Sequence, residues 1–267
     1  MENITIVLQG PANNYTIETA VSYLQLDFVS NIIVSCWDTD TFDIVNNEPR
    51  ISVIRNKLNT MYAGTCNINL QIYTSFIGLR NVTTTFAVKM RSDQRYLLSD
   101  MQKMYIFYSN NNTKELSFDT NNLKPRNKIG VCGIFDDLPF HPCDHTYWGN
   151  TEDLIDFFDI PPNNSEISID WKKSIRPETY LGANYASNFD RRIKEFIQNP
   201  VVYLTDKHLV EHNNQKQFAL DISKSINDKI FVRFMRLPFE WIKHYKHDTE
   251  GHNNAVLKTF SSIWHNE

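Results

Sequence analysis

Short apolar runs alternate with amphipathic stretches through the first 135 residues, and nothing else in the chain limits its fold so tightly. Ile4 to Leu8 reads as a strand closed by Gln9-Gly10-Pro11. Ile17, Ala20, Val21, Leu24 and Phe28 recur at helical spacing and predict a helix over about 15–28. Asn31 to Cys36 is a second strand closed by Trp37-Asp38, and Ile51 to Ile54 is a third. Ile68, Ile72, Phe76 and Leu79 mark the buried face of a helix over about 66–79, with Gly78 near its end. Phe86 to Met90 and Ile129 to Ile134 complete the series. Strands this continuously apolar are covered on both faces. The expected fold class is therefore α/β: a mostly parallel sheet with helices on both sides.

The pattern loosens after residue 135. Residues 136–150 read as a loop, and Thr151-Glu152-Asp153 as a helix start in which the Thr oxygen accepts first-turn amides. Pro177-Glu178 opens another helix, and Asp190 to Gln198 keeps helical texture. A helix near 215–227 and a strand from Lys229 to Phe234 precede an aromatic and basic tail. There are no internal repeats and no low-complexity linker, so one domain with a C-terminal α/β elaboration over 191–267 is the simplest organisation.

Composition narrows the function by exclusion. A net charge of −4 argues against wrapping nucleic acid. The cysteines, Cys36, Cys66, Cys132 and Cys143, form no C-x-x-C pair and read as free thiols in a reducing compartment. The opening Met-Glu-Asn-Ile-Thr-Ile-Val-Leu-Gln-Gly reads as a short strand rather than an export signal. No run approaches the ~20 apolar residues of a membrane helix. The expected location is cytoplasmic, or peripheral to the inner membrane. No G-x-G-x-x-G follows the first strand and no G-x-x-x-x-G-K-[ST] occurs, which disfavours dinucleotide dehydrogenases and P-loop enzymes.

The strand ends carry the chemistry. In open α/β sheets ligands bind at the carboxyl edge of the strands. Phe86-Ala87-Val88-Lys89-Met90 runs directly into Arg91-Ser92-Asp93. That pair suits a nucleotide diphosphate, with or without a metal, and equally suits a surface ion pair. Gln9 can read a base or sugar edge, and Gly10 permits close backbone approach, although an ordinary turn has the same letters. Asp38 can accept from a ribose, while Trp37 beside it reads as packing. Asn67, Gln71 and Thr74 share one face of the 66–79 helix. Asp136, Asp137, His141, Asp144 and His145 crowd one loop with Phe140, Tyr147 and Trp148. A carboxylate beside a His can act as a general base or a metal ligand, and rings in the same loop offer a sugar-stacking surface. Glu178 suits the first turn of its helix on dipole grounds alone. Arg233, Arg236, Trp241 and the run Lys243-His244-Tyr245-Lys246-His247 suit an anionic lipid surface, a phosphorylated acceptor or a solvated helix face.

Taken in order, Val-Leu-Gln9-Gly10-Pro11, Ile-Ile-Val-Ser-Cys-Trp-Asp38, Asn67-Ile-Asn69-Leu-Gln71 with Gly78-Leu79, Val-Lys89-Met-Arg91-Ser92-Asp93, Asp144-His145-Thr-Tyr-Trp-Gly149 and Arg176-Pro177-Glu178 resemble the WavE-type family associated with bacterial lipopolysaccharide core synthesis. The likeness covers most of residues 4–185. It implies a glycosyltransferase with a GT-A-like nucleotide-sugar-binding fold. The catalytic domain would be 1–190, with a nucleotide half over about 1–135 and an acceptor half over about 136–190. The partners implied are a nucleotide-sugar donor and a glycan or glycolipid acceptor such as lipopolysaccharide core or capsule. By the same resemblance Gln9, Gly10, Pro11, Asp38, Asn69, Gln71, Lys89, Arg91 and Ser92 would line the donor site. Asp93 would hold Mn²⁺ or Mg²⁺, in the place of the Asp-x-Asp motif of many such enzymes. Arg91 stands at the first acidic position, so Lys89 and Arg91 could instead neutralise the diphosphate. Asp144 is the candidate general base, with His145 and Glu178 as companions.

Overall fold

The structure is a computed structural model that describes residues 3–43, 48–58, 63–64, 67–111, 127–136, 138–163, 176–198, 210–233, 239–242 and 257–259. Its centre is a seven-stranded sheet in the order β3-β2-β1-β4-β7-β6-β8. The strands are β1 (Ile4–Gln9), β2 (Val29–Trp37), β3 (Ile51–Asn56), β4 (Phe86–Arg91), β6 (Ile129–Val131), β7 (Thr146–Asn150) and β8 (Phe231–Arg233). Strands β3, β2, β1 and β4 are mutually parallel, and β6 is parallel to β8. Strand β7 alone runs against both of its neighbours. This is the expected α/β class, a mostly parallel sheet clad with helices on two faces.

The period-2 alternation of the strands sorts side chains onto the two faces. Val7, Ile33 and Ala87 meet α2 (Ile68–Arg80), α4 (Thr151–Phe158), α5 (Pro177–Ala186) and α7 (Val210–Ile230) in one core. Ile6, Leu8, Ile32, Val34, Val88 and Met90 meet α1 (Asn14–Tyr23) and α3 (Leu98–Asn111) in the other. A slip of one residue in β1 or β4 would exchange these sets, so burial on both faces fixes the register. The short helix α6 (Arg192–Gln198) follows α5. A second sheet of three strands, β10-β9-β5, joins β5 (Gln94–Tyr96) to β9 (Phe239–Ile242) and β10 (Leu257–Thr259). The C-terminal segment thus lays a strand beside the residues that follow Asp93, with Gln94 opposite Trp241.

Several expectations need correction. Helix α1 stops at Tyr23, short of the expected 28, and Val21 is exposed. Leu24, Leu26 and Phe28 are buried from a turn, so apolar spacing there reported burial without a helix. Residues 146–150 are no loop: they form β7, in the interior of the sheet. Its rings are core, because Tyr147 and Trp148 are fully buried, and so is Phe140 before it. They offer no stacking surface to a sugar. The cap of α4 is Asn150, whose Oδ1 accepts from the Glu152 amide, while the Thr151 hydroxyl donates to the Thr84 carbonyl. Helix α3 and strand β5 carried no recognised signal in the sequence, and α7 runs well beyond the expected 215–227.

Candidate functional site

At the carboxyl ends of β1 and β2 the polar groups hold backbone. Gly10 has φ +119, a conformation that L side chains rarely adopt, and an added Cβ would stand 3.0 Å from the Ser92 Oγ. That turn brings Pro11 over β4, where the Ser92 hydroxyl donates to the Pro11 carbonyl at 2.6 Å and the Ser92 amide donates to the Gln9 carbonyl at 2.9 Å. The Gln9 side chain is buried and donates to the Thr74 Oγ1 on α2 at 2.8 Å. Asp38 is exposed, with its Oδ1 accepting from the Leu58 amide at 3.4 Å. Asp40, which sequence reasoning passed over, is the buried organiser here. Its Oδ2 accepts from the amides of both Ala12 and Trp37 at 2.9 Å, tying the first two strand ends together. The only sequence signal for it was an Asp two residues after a strand-closing Trp-Asp, which is ordinary loop composition.

The carboxyl end of β4 is built from charges. Arg91 forks onto Asp93, donating from Nε to Oδ1 at 3.0 Å and from Nη2 to Oδ2 at 2.8 Å. Its Nη1 also donates to the Asp144 Oδ2 at 3.0 Å. One guanidinium thus links two carboxylates that lie far apart in the chain. The Gln71 amide approaches the same Asp144 oxygen at 3.4 Å. The antiparallel pairing of β7 with β4 makes this meeting possible, because it returns residues 144–146 to the end of β4. Lys89 lies one turn of the pleat below, fully buried, with its Nζ 3.3 Å from the Asp144 carbonyl and about equally near the Tyr147 and Phe158 rings at 5.4 and 5.5 Å.

These contacts set the proton affinities. Burial would raise Asp144, but the charges of Arg91, His145 and Lys89 outweigh it and hold the carboxyl at about 2. Burial draws Lys89 down to about 8, against the opposing pull of Asp144. Glu178 moves the other way: burial first, then the charge of Asp144, push it up to about 7. Burial lowers His145, yet its neighbours Cys143 and Asp144 leave it raised overall. One carboxylate is thereby fixed as an anion and another is poised near neutrality, the separation that acid–base chemistry uses.

Glu178 stands in the first turn of α5, behind Pro177 at the helix start. The helix is pressed so closely on the 139–142 loop that a Cβ at Gly182 would lie 2.1 Å from the Phe140 carbonyl oxygen. Phe140 itself adopts a left-handed φ of 51, a strained conformation for an aromatic residue, pinned by its amide donating to the Ser223 hydroxyl on α7. The loop so held delivers His141 to α5. Its Nδ1 meets the Thr179 hydroxyl at 2.8 Å, and its Nε2 lies 3.8 Å from the Glu178 carboxylate.

Of the residues expected at the donor, metal and catalytic sites, Gln71, Lys89, Arg91, Asp93, Asp144, His145 and Glu178 gather around the end of β4. Gln9, Gly10, Pro11 and Ser92 adjoin them, and Asp38 lies apart at the end of β2. Asn69 is spent elsewhere: its amide clasps the backbone of Asn163, donating at 2.9 Å and accepting at 2.6 Å. The expected basic and aromatic tail lies mostly outside the described residues. Within them, Arg233 pairs with Asp136 at 3.1 Å. Asp137 and Cys66 also lie outside the described residues. Among the described residues no helix is long and apolar enough to cross a membrane.

A divalent cation was expected at Asp93. Both Asp93 oxygens already accept from Arg91. The other group of ligand atoms is Cys143, Asp144 and His145, within 4.8 Å of one another. Its thiol is pushed far up by the hydrogen bond with the Cys132 thiol and by burial, and its carboxylate is paired with Arg91. Mg²⁺ and Mn²⁺ prefer oxygen ligands. Among the described residues, the donors as paired do not fit either ion.

None of the curated proteins matches this chain. Among solved structures it is similar to TarS 1-349 of S. aureus in complex with UDP, at 11% identity over 85% of this chain and 72% of that one, TM-score 0.45. It is also similar to HddC from Yersinia pseudotuberculosis, at 12% identity over 65% of this chain and 87% of that one, TM-score 0.34. Likenesses this distant assign no residue a role. The family model described as WavE lipopolysaccharide synthesis matches residues 4–235, most of the sequence, and the chain belongs to that family.

Proposed function

We propose that the protein is a glycosyltransferase that moves a sugar from a nucleotide-sugar donor to a surface glycan, with lipopolysaccharide core or capsule as the acceptor class. One observation carries the reading: Glu178, poised near neutrality, lies within electrostatic reach of Asp144 and Arg91, which are ion-paired at the carboxyl end of β4. Membership of a lipopolysaccharide synthesis family supports it independently.

The chemistry is a displacement at the anomeric carbon. The acceptor hydroxyl attacks that carbon, the bond to the phosphate oxygen breaks, and the nucleoside diphosphate leaves with the electron pair. The hydroxyl proton passes to Glu178, the group whose affinity suits a general base near pH 7. Asp144 is the weaker choice, because a carboxylate held at about 2 by Arg91 is a poor proton acceptor. Its charge instead keeps the Glu178 proton affinity high. Arg91 faces the charge that develops on the leaving phosphate, and buried Lys89 adds to the field beneath it. Gln9, Gly10, Pro11, Asp38 and Gln71 border the nucleotide, with Gly10 allowing close backbone approach. The reaction is placed in the cytoplasm, and the segment after Arg233 meets the anionic lipid around a lipid-linked acceptor.

The test is a thermal-shift screen of nucleotide sugars followed by a transfer assay. At least one nucleotide or nucleotide sugar raises the melting temperature, and Glu178→Gln abolishes transfer while keeping that rise. A folded protein that responds to no nucleotide or nucleotide sugar would sink the proposal.

A further inference from the structure

We propose that the Arg91 guanidinium stands in for the divalent cation at this site, so that the protein binds and uses its donor without one. The use of a donor rests on the glycosyltransferase reading, whereas the cation preference rests on the geometry of this corner alone.

A bridging divalent ion joins carboxylates from separate segments and fixes their orientation. Arg91 does the same. It takes both oxygens of Asp93 from the end of β4 and one oxygen of Asp144 from the segment leading into β7. A planar fork on a carboxylate is the strongest geometry available to a side-chain cation. The two Arg91–Asp93 contacts and the Arg91–Asp144 contact span 2.8 to 3.0 Å, so the network is closed as it stands.

Charge points the same way. Lys89 and Arg91 supply two positive charges against the two negative charges of Asp93 and Asp144. In the donor-free protein a divalent ion would bring the positive total to four against two, in a region where Lys89 is wholly removed from water. It would also have to displace the half-buried guanidinium from Asp93, costing Arg91 that fork. The buried lysine cannot move aside, since its ammonium sits against the Tyr147 and Phe158 rings and the Asp144 carbonyl.

A fixed guanidinium is no Lewis acid, but as a charged hydrogen-bond donor it needs no loading step. It presents an oriented positive charge to a departing phosphate oxygen, the service a metal performs elsewhere.

The decisive experiment titrates Mn²⁺ into the full chain and follows the free-ion signal by electron paramagnetic resonance. The wild-type chain leaves the signal unchanged, and Arg91→Asp removes about one equivalent of Mn²⁺ from solution. In parallel, the melting-temperature rise given by UDP, GDP or CMP is equal in EDTA and in Mn²⁺. Uptake of one Mn²⁺ by the wild-type chain, lost in Asp93→Asn, would overturn the proposal. Should Arg91→Asp fail to fold, the wild-type titration and its comparison with Asp93→Asn still decide. If no nucleotide shifts the melting temperature, the glycosyltransferase reading is damaged, while the Mn²⁺ titration continues to judge the role of Arg91.

Discussion

The ends of β1 and β2 and the end of β4 are neighbours with opposite economies. At β1 and β2 a buried carboxylate, Asp40, accepts from two backbone amides, while the Gln9 amide donates to the Thr74 hydroxyl and the Ser92 hydroxyl to the Pro11 carbonyl. At β4 charged side chains hold one another instead, Arg91 pairing with both Asp93 and Asp144. The first arrangement fixes the shape of a backbone cradle. The second fixes proton affinities, and so can do chemistry. Under the proposed function, the difference assigns shape recognition to one side of the edge and reactivity to the other.

The largest expected effect tests the reactive side. Replacing Glu178 by Gln should cut kcat/KM by about 10²–10⁴, the usual worth of a general base, with little change in melting temperature. In the wild-type protein kcat/KM should rise with pH through about 7, since Glu178 must lose its proton to serve. A pH-independent rate between 6 and 8 would move the base elsewhere.

Lys89 comes next. Its folded value of about 8 lies below the ordinary lysine value, so between about pH 8 and 10.5 the unfolded chain binds the proton more strongly. Stability linked to this group therefore grows as pH rises through that window, by up to about 3 kcal/mol, and is lost as pH falls through 8. Lys89→Met should flatten that dependence in urea melts at pH 8 and pH 10, and an unchanged slope would contradict the assignment.

On the cradle side, Asp40→Ala should cost about 2 kcal/mol in urea unfolding, because two buried amides lose their acceptor. It should raise KM for the donor more than it lowers kcat. If kcat falls by as much as in Glu178→Gln, the division between cradle and reactive corner fails. Asp38→Ala is the smallest change. The side chain is exposed, so stability should move by less than about 0.5 kcal/mol, and any rise in KM would report contact with the nucleotide.

Much of the fold was legible. The alternation of apolar strands with amphipathic helices gave β1 to β4 and α2 to within about two residues, because burial on both faces imposes runs that a single sequence displays. Strand β7 was not legible. Its Thr-Tyr-Trp-Gly-Asn letters carry little apolar continuity, and its neighbours, β4 and β6, lie elsewhere in the chain. Helix α3 was missed because Ile106 is exposed and the buried positions Met101, Met104, Tyr105 and Tyr108 mix sulfur and phenol with apolar surface, which weakens the stripe. The site was half legible. Arg91, Asp93, His141, Asp144, His145 and Glu178 could be named from strand ends, the crowded loop and motifs, whereas Asp40 acts through partners that local sequence does not announce.

The sequence by itself determined that a mostly parallel sheet forms, and that Arg91-Ser92-Asp93 closes its fourth strand at the carboxyl edge, since both follow from hydrophobic periodicity over short windows. Only the tertiary structure decided that Arg91 is spent on Asp93 and Asp144, that the rings of β7 are core, and that Glu178 rather than Asp144 sits near neutrality. Those outcomes depend on desolvation and on charges brought together from distant segments, and neither quantity exists until the chain has folded.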